Sequence, residues 1–591
     1  QPGHPGAYLA AIADRDTALF PYAGSAVPGT FHTRVRDVIQ ALRRVGGVDL
    51  RQMADTLTAR AGQPHAFVAG YLLWRYGVPG VNRFLSSTRA DEVPYGAWPK
   101  AWKPITLAIK RFGAPPSFPG GAPALAEAET LVGYGFGEVD WMSEETKRRD
   151  DALATSFSDR EIADALARLY SRAMRNASTR ELSLDEYWSR RWFWLATGSE
   201  AGAKGQYGPE AFQGAFRALA GTRVRHTHKS AAEGRGPGYL TRLLARYPGM
   251  RAAASAKVNE RGKVRALYAG DPSSYYVTAA ALAPAEAAWE DEEAIIAPGA
   301  ADELHRVGDL RAALADGCGM MYDFDDFNVM HQHSHLALVF SLLPASLPMA
   351  GPEHAACCAW VAEAMARQTV RWPDGHISGV TNGLFSGWRA TTWANTVLNW
   401  AYFDCAAVRA KAYGGARLMH RRHVGDDVYS VADSWLSAVL LYDSLQGAGA
   451  RAQASKVLFS AEAAEFLRVR YDNTGVHGYV ARTICGLIGG DPSAAEATGP
   501  LTRIPAIAES LARCTARGLR EDVAGVLLRR LTSYWGAALN PDGSIAASPP
   551  ASVIHAPRSA GGLGVFWDGS EAAEWLHAQL PRQPAAAPRV V

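Results

Sequence analysis

Two short apolar pieces, Leu418-Met419 and Val428-Tyr429, flank the stretch His423-Val424-Gly425-Asp426-Asp427, and this pattern constrains the chain more than any other. Gly425 supplies a backbone that turns where other residues resist, so Gly425-Asp426 reads as the tip of a β-hairpin. A second acidic segment, Met320-Met321-Tyr322-Asp323-Phe324-Asp325-Asp326-Phe327-Asn328, reads as a buried strand running into acid. Strand alternation puts Asp323 and Asp325 on one face and Asp326 on the other. Three carboxylates in one place repel, so a cation must sit among them or some must point elsewhere. If the strand and the hairpin lie side by side, Asp323 and Asp426 converge. Converging carboxylates suit a pair of Mg²⁺ ions, which take hard oxygen ligands and leave positions open for phosphate oxygens. A lone Gly-Asp-Asp is more often a solvated turn, so the reading depends on what accompanies it.

What accompanies it lies between the two acidic segments, in Ser386-Gly387-Trp388-Arg389-Ala390-Thr391-Thr392-Trp393-Ala394-Asn395-Thr396-Val397-Leu398-Asn399. Gly383 to Gly387 read as a flexible loop, and a helix follows. Thr391, Asn395 and Asn399 then fall at i, i+4 and i+8 on one helix face. Such a polar stripe on an apolar helix is either an internal network or a substrate surface, and its position between two acidic segments argues for substrate contact.

The rest of the chain frames this core. At 591 residues it exceeds what one hydrophobic core organises, so two or more subdomains are expected. To about Arg180 it reads as helices separated by Pro/Gly loops. One helix face is Ile162, Ala165, Leu166, Leu169 and Tyr170, and one loop is the Pro/Gly-rich stretch 112–121. From about Trp188 to Arg470 the texture is mixed α/β, and after Gly490 helices return, as over Ile504 to Leu511 and Val523 to Leu531. The first residue is Gln1, so a processed or excised product is expected, and no signal peptide opens it. No apolar run is long enough to span a bilayer, so no membrane partner is expected. The net charge of +3 does not exclude a nucleic-acid partner, because cations can line one channel. The six cysteines form no C-x-x-C pair, which points to reduced structural thiols in an intracellular setting.

Over roughly residues 190 to 470 the chain resembles the viral RNA-dependent RNA polymerases, specifically those of totiviruses and related double-stranded RNA viruses of fungi and protozoa. Asp323-Phe324-Asp325-Asp326-Phe327-Asn328, Ser386 to Thr392 and His423 to Asp427 look like that group's motifs A, B and C, in order. The resemblance implies Asp323, Asp426 and Asp427 as metal ligands for two Mg²⁺ ions, with Mn²⁺ as a possible substitute. It implies Lys456 as the general acid of motif D, and Glu465-Phe466-Leu467-Arg468 as motif E. Lys257 to Arg265 resembles motif F, with Lys257, Lys263 and Arg265 meeting the incoming triphosphate. Lys263 and Arg265 would alternate onto one strand face. Asn328 stands where many such polymerases carry a second Asp, as it does in the totivirus-like group. With Ser386, Gly387, Thr391 and Asn395 it would hold the nucleotide and read the ribose 2′-OH. Thr197, Gly198 and Ser199 resemble the looser motif G at the template entrance, and Arg421 and Arg468 join them as RNA contacts.

Three features carry a blander reading beside the functional one. His331-Gln332-His333-Ser334-His335 lacks a Cys or Glu partner nearby and reads as a solvated or template-facing loop before a buried helix, Leu336 to Phe340, rather than a zinc site. Arg421-Arg422 divides evenly between RNA contact and surface charge. Tyr534 or Trp535 could stack a first nucleotide, but core packing suits either one better.

The expected fold is α/β of the α+β kind: a right hand with an antiparallel palm sheet and largely helical surroundings. Its expected segments are an N-terminal helical region and fingers extension (1–180), fingers with motifs G and F (181–315) and palm with motif A (316–345). A fingers insertion (346–380), palm with motifs B to E (381–470) and thumb with tail (471–591) follow. The expected function is template-directed nucleotidyl transfer to an RNA 3′-OH, serving transcription and replication of a double-stranded RNA genome. A reverse transcriptase-like polymerase and a capsid-associated RNA-binding protein are the rivals. RNA template and product, NTPs and a viral capsid protein are the expected partners, in the virion interior and the host cytoplasm.

Overall fold

The computed structural model describes residues 31–43, 49–59, 64–114, 118, 121–176, 180–195, 232–233, 235–296, 309–453, 456–472, 474–490, 499–539 and 545–565. The chain divides into two compact units. The first comprises Gln1–Glu138, Lys257–Arg265 and His477–Val591, and the second Val139–Ala256 with Ala266–Val476. The expected linear segments do not follow this division. Residues before Glu138 share one apolar core with residues after His477, so the two ends of the chain bury each other's helices.

The first unit is helical. Helix His65–Gly77 buries Phe67 through Gly77 on all sides. Against it stand Trp98 and Trp102, one turn apart on helix Trp98–Phe112, with rings stacked 5.1 Å between centroids. Three interior indoles keep their N–H satisfied: Trp74, Trp98 and Trp102 donate to the carbonyls of Ala124, Ala128 and Leu125. Helices Pro500–Ala516 and Glu521–Trp535 complete the core with Ile504, Ile507, Leu527, Leu531 and Trp535. Trp535 is thereby a core residue, as its packing reading expects.

The second unit is mixed, and its strands run in chain order as β1 (Met250–Lys257), β2 (Arg265–Gly270), β3 (Cys318–Tyr322), β4 (Gln368–Arg371) and β5 (Ile377–Gly379). After them come β6 (Leu418–Val424), β7 (Asp427–Ala432), β8 (Leu458–Ser460), β9 (Ala463–Phe466), β10 (Val469–Asp472) and β11 (Gly475–Gly478). The central sheet has the order β6-β7-β3-β8, and every pairing in it is antiparallel. β3 is buried along its whole length because both faces are covered. Cys318, Met320 and Tyr322 enter the large core, while Met321 packs with Tyr429, Val431, Phe466 and Tyr471 on the other side.

The longest helix among the described residues, Thr391–Gly414, is buried from Trp393 through Phe403 and packs between helices Asp159–Ala173 and Trp435–Gly447. Helix Asp159–Ala173 starts at a Ser158/Glu161 capping box and buries the face read from its periodicity. All six cysteines are free and buried. Among the described residues no single helix is long and apolar enough to cross a membrane.

Candidate active site

Local chemistry builds the acidic tip. Val424 pairs with Asp427, leaving Gly425-Asp426 as a two-residue turn, and Gly425 takes the left-handed φ of 61° that a first-position glycine allows. The turn is pinned from below by helix Thr391–Gly414. Gly425 N–H donates to the Thr396 hydroxyl (2.8 Å), and Asn399 Nδ2 donates to the carbonyls of Gly425 (3.1 Å) and Asp427 (3.4 Å). Thr396 escaped the sequence reading, although it sits one residue from the polar stripe that pointed there.

Tyr322 of β3 pairs with Val428 of β7, so Asp323 leaves the sheet beside the start of β7. Strand geometry stops there. Asp323 and Asp325 do not continue the alternation, and Asp326 takes a left-handed φ of 59°. Its carboxylate turns toward Lys147 (3.6 Å), which also pairs with Glu144 (3.0 Å). The segment after helix Trp435–Gly447 holds this bend: Asp325 N–H donates to Arg451 O and Gln453 N–H to Asp323 O.

The acids are imperfectly balanced. Lys456 Nζ stands 2.8 Å from Asp323 Oδ1, supplying the cation that the crowding demands. Asp427 has its pKa raised to about 7, first by desolvation and then by the charges of Asp426, Asp323 and Glu465, with Arg468 opposing. Its side chain still reaches solvent, so the acids crowded beside it contribute to the shift alongside desolvation. Arg468 sits in the two-residue turn joining β9 to β10. There Leu467 (φ 51°) and Arg468 (φ 61°) both adopt the left-handed region without a glycine. Among the described residues no three side chains already close into a metal-holding cluster.

The loop before the long helix is stitched to the same place. Gly383 N–H donates to His331 O (2.8 Å) and Leu384 N–H to Asn328 O (2.7 Å). The Ser386 hydroxyl accepts from Tyr268 N–H (3.3 Å) and lies 3.4 Å from Ala266 O, tying it to β2. Gly387 is required there, since a Cβ would meet Tyr268 O at 2.7 Å. Asn395 Nδ2 donates to Asn328 Oδ1 (3.0 Å), so the two amides expected at the sugar do meet.

Other expected contacts are spent elsewhere. The Thr391 hydroxyl is bonded to the carbonyls of Phe385 and Trp388, and Asn399 holds the hairpin, so the polar stripe is largely an internal network rather than a substrate surface. Arg421 is buried, lies 4.1 Å over the Trp400 ring and pairs with Glu293 (2.9 Å) and Asp404 (3.0 Å), so it serves the interior rather than an RNA surface. The His331–His335 stretch is no solvated loop: His331 and His335 are fully buried, and helix His333–Ser341 begins inside it. Burial lowers the pKa of His331 to about 3 and that of His333 to about 4.

Lys257, Lys263 and Arg265 fall within the first unit's segment. β2 begins only at Arg265, so Lys263 lies in the irregular segment before it and the two do not alternate along one strand. All three act on one carboxylate, Glu260, whose pKa they lower against its desolvation. Lys257 is 3.0 Å from it and Arg265 2.9 Å. Thr197, Gly198 and Ser199 lie outside the described residues.

Comparison with known sequences matches most of the chain to one family. The profile of the viral RNA-directed RNA-polymerase family matches residues 38–491. A probable RNA-directed RNA polymerase of Leishmania RNA virus 1 - 1 is 31% identical over 377 residues, covering 62% of this chain and 40% of that protein. One from Helminthosporium victoriae virus-190S is 27% identical over 456 residues, covering 75% of this chain and 50% of its own length. The chain thus spans half or less of these relatives. Among solved structures, an insertion-loop deletion mutant of a human picobirnavirus RNA-dependent RNA polymerase aligns with a TM-score of 0.49 and 12% identity, covering 90% of this chain and 91% of that one.

Proposed function

Because the chain belongs to the viral RNA-directed RNA polymerase family, we propose that it adds nucleotides to an RNA 3′-hydroxyl on an RNA template, with Asp323, Asp426 and Asp427 as the reacting centre. The observation that carries the assignment of the centre is the gathering of these acids at one end of an antiparallel sheet, where their mutual repulsion and desolvation raise Asp427 to about 7.

The family uses divalent metal ions, and this donor set suits them: hard oxygens carrying negative charge that Lys456 and Arg468 do not fully offset. Our reading is a pair of Mg²⁺ ions held by Asp323, Asp426 and Asp427, with Mn²⁺ as a workable substitute. When bound, such ions lower the pKa of the attacking hydroxyl and offset charge on the departing pyrophosphate. Lys456 balances Asp323 and holds a proton at Nζ that pyrophosphate can take on leaving. Asn328 and Asn395 receive the ribose, in line with their mutual hydrogen bond at the edge of the acidic centre. Lys257, Lys263 and Arg265 are the proposed phosphate contacts, supported by their excess of positive charge over Glu260. Thr197, Gly198, Ser199 and Arg468 remain the proposed RNA contacts, while Arg421 leaves that set.

The proposed setting is a virion interior and the host cytoplasm, beside a capsid protein and serving a double-stranded RNA genome, by analogy with relatives from viruses of fungi and protozoa. The deciding experiment supplies purified protein with single-stranded RNA, four NTPs and Mg²⁺. Full-length complementary RNA is expected from the native chain and none from Asp426→Asn. Persistent synthesis by the variant would sink the assignment of the acidic tip, and product from dNTPs in preference to NTPs would favour reverse transcription.

A further inference from the structure

Beneath the amide pair runs a buried polar chain that nucleotidyl transfer does not itself require. His335 Nε2 stands 3.1 Å from the Phe157 carbonyl, which can only accept, so His335 carries its proton there. The Tyr402 hydroxyl lies 3.4 Å from His335 Nδ1 and 3.0 Å from His331 Nδ1. His331 Nε2 lies 2.9 Å from Asn395 Oδ1, an acceptor, and Asn395 Nδ2 donates over 3.0 Å to Asn328 Oδ1. With the Asn395 amide oxygen turned to His331 and its amino group to Asn328, donation runs in one direction. Asn395 Oδ1 takes the Nε2 proton of His331, so the Nδ1 of a neutral His331 is bare and takes the hydroxyl proton of Tyr402, its nearer neighbour. The long 3.4 Å approach to His335 fits a hydroxyl whose proton is already committed. At the far end, Asn328 accepts through Oδ1, and its Nδ2 has no protein partner among the described residues.

We infer that His331 is a positioning residue for sugar selection: by donating to Asn395 it locks that amide in one orientation, and through it turns the Asn328 amino group toward the ribose 2′-oxygen. The inference rests on the polymerase reading above and deepens it, since the ribose is contacted by Asn328 and the choice of donor over acceptor is made three bonds away. The surroundings can hold one state. His331 is fully buried, stacks edge-on against Phe327 at 4.5 Å, and is kept neutral because burial lowers its pKa to about 3. Its backbone and that of Asn328 are fixed by the Gly383 and Leu384 amides, so the side-chain amides are the free variable. An Asn amide can present either end to a ligand at little steric cost, and a partner of fixed polarity is what removes that freedom.

The test measures kcat/KM for NTP and the matching dNTP on a primed RNA template. His331→Phe keeps an aromatic ring but neither bond, and should lower ribose preference roughly tenfold, about the worth of one oriented hydrogen bond. His331→Gln can still donate to Asn395 and accept from Tyr402, and should retain most of the preference. In an Asn328→Ala background, His331→Phe should lower the preference no further. Should His331→Phe fail to fold, Tyr402→Phe decides, because it removes only the hydroxyl that donates to Nδ1 and so helps keep the His331 proton on Nε2, and it should also lower the preference. Equal loss of NTP and dNTP use, or an unchanged ratio in folded His331→Phe or Tyr402→Phe, overturns the inference while leaving the polymerase reading intact. Absence of any templated synthesis by the native chain overturns both.

Discussion

Single residues at the acidic tip do different jobs. Asn399 and Thr396 touch only backbone, yet they set where Asp426 and Asp427 stand. Asn399→Ala removes two donated bonds and should cost about 1–2 kcal/mol of stability. Single-turnover extension should slow about tenfold while template affinity, read by fluorescence anisotropy, holds. Lys456 competes with any cation for Asp323. Lys456→Met should therefore bring half-maximal metal binding to lower Mg²⁺ concentration, even as synthesis slows. A titration with an unchanged midpoint would count against that competition. Arg421 makes the opposite case. Arg421→Met removes one of two arginines from each acid, since Glu293 keeps Arg172 and Asp404 keeps Arg168, and losing these charged hydrogen bonds should cost about 1.5–3 kcal/mol. Denaturant melts should record that loss, while the salt dependence of RNA binding by the folded fraction stays unchanged.

At the scale of elements, the β6–β7 hairpin and the long helix Thr391–Gly414 form a single working piece. The hairpin was legible in the sequence because glycine before two acids between apolar runs has few other conformations. The pinning was not, because Thr396 and Asn399 follow the same helical spacing whether they face substrate or protein. The turn carries its own prediction. Gly425 holds φ 61° with open space where a Cβ would go, so Gly425→Ala meets backbone strain and no clash. It should destabilise the hairpin by roughly 1–2 kcal/mol. Hydrogen exchange at β6 and β7 should quicken more than at β3. The strand read into Asp323–Asp326 fails for a local reason: Asp326 adopts a left-handed conformation that ends the alternation, and Lys147 draws it out of the site.

Across the whole molecule, buried imidazoles tie stability to pH. His32, His331, His333, His335, His354 and His423 all have pKa values lowered by burial. For each, the unfolded chain binds a proton near pH 6.5 and the folded chain resists it. Stability is thus complete above about pH 6.5 and falls as pH drops toward 4. One such group removes up to about 1.4 kcal/mol per pH unit. The raised pKa values of Asp427, Glu129 and His376 act in the opposite sense, but the lowered carboxylates of Glu161, Glu260 and Glu293 side with the histidines. Thermal melts should lose midpoint steadily between pH 6.5 and 4.5, and a flat profile would contradict the burial of these rings.

By itself, the sequence determined what short-range patterns can carry: the hairpin, the helix faces such as Ile162 to Tyr170, the acids and amides of the centre, and the family they belong to. Tertiary structure alone decided which polar groups were already spent. Arg421, Thr391 and the histidines of 331–335 have the same chemistry whether they face water or the interior, and only the packing around them selects one. It also decided that residues before Glu138 and after His477 share a core. An apolar helix face records that it must be buried but carries no record of which distant segment covers it.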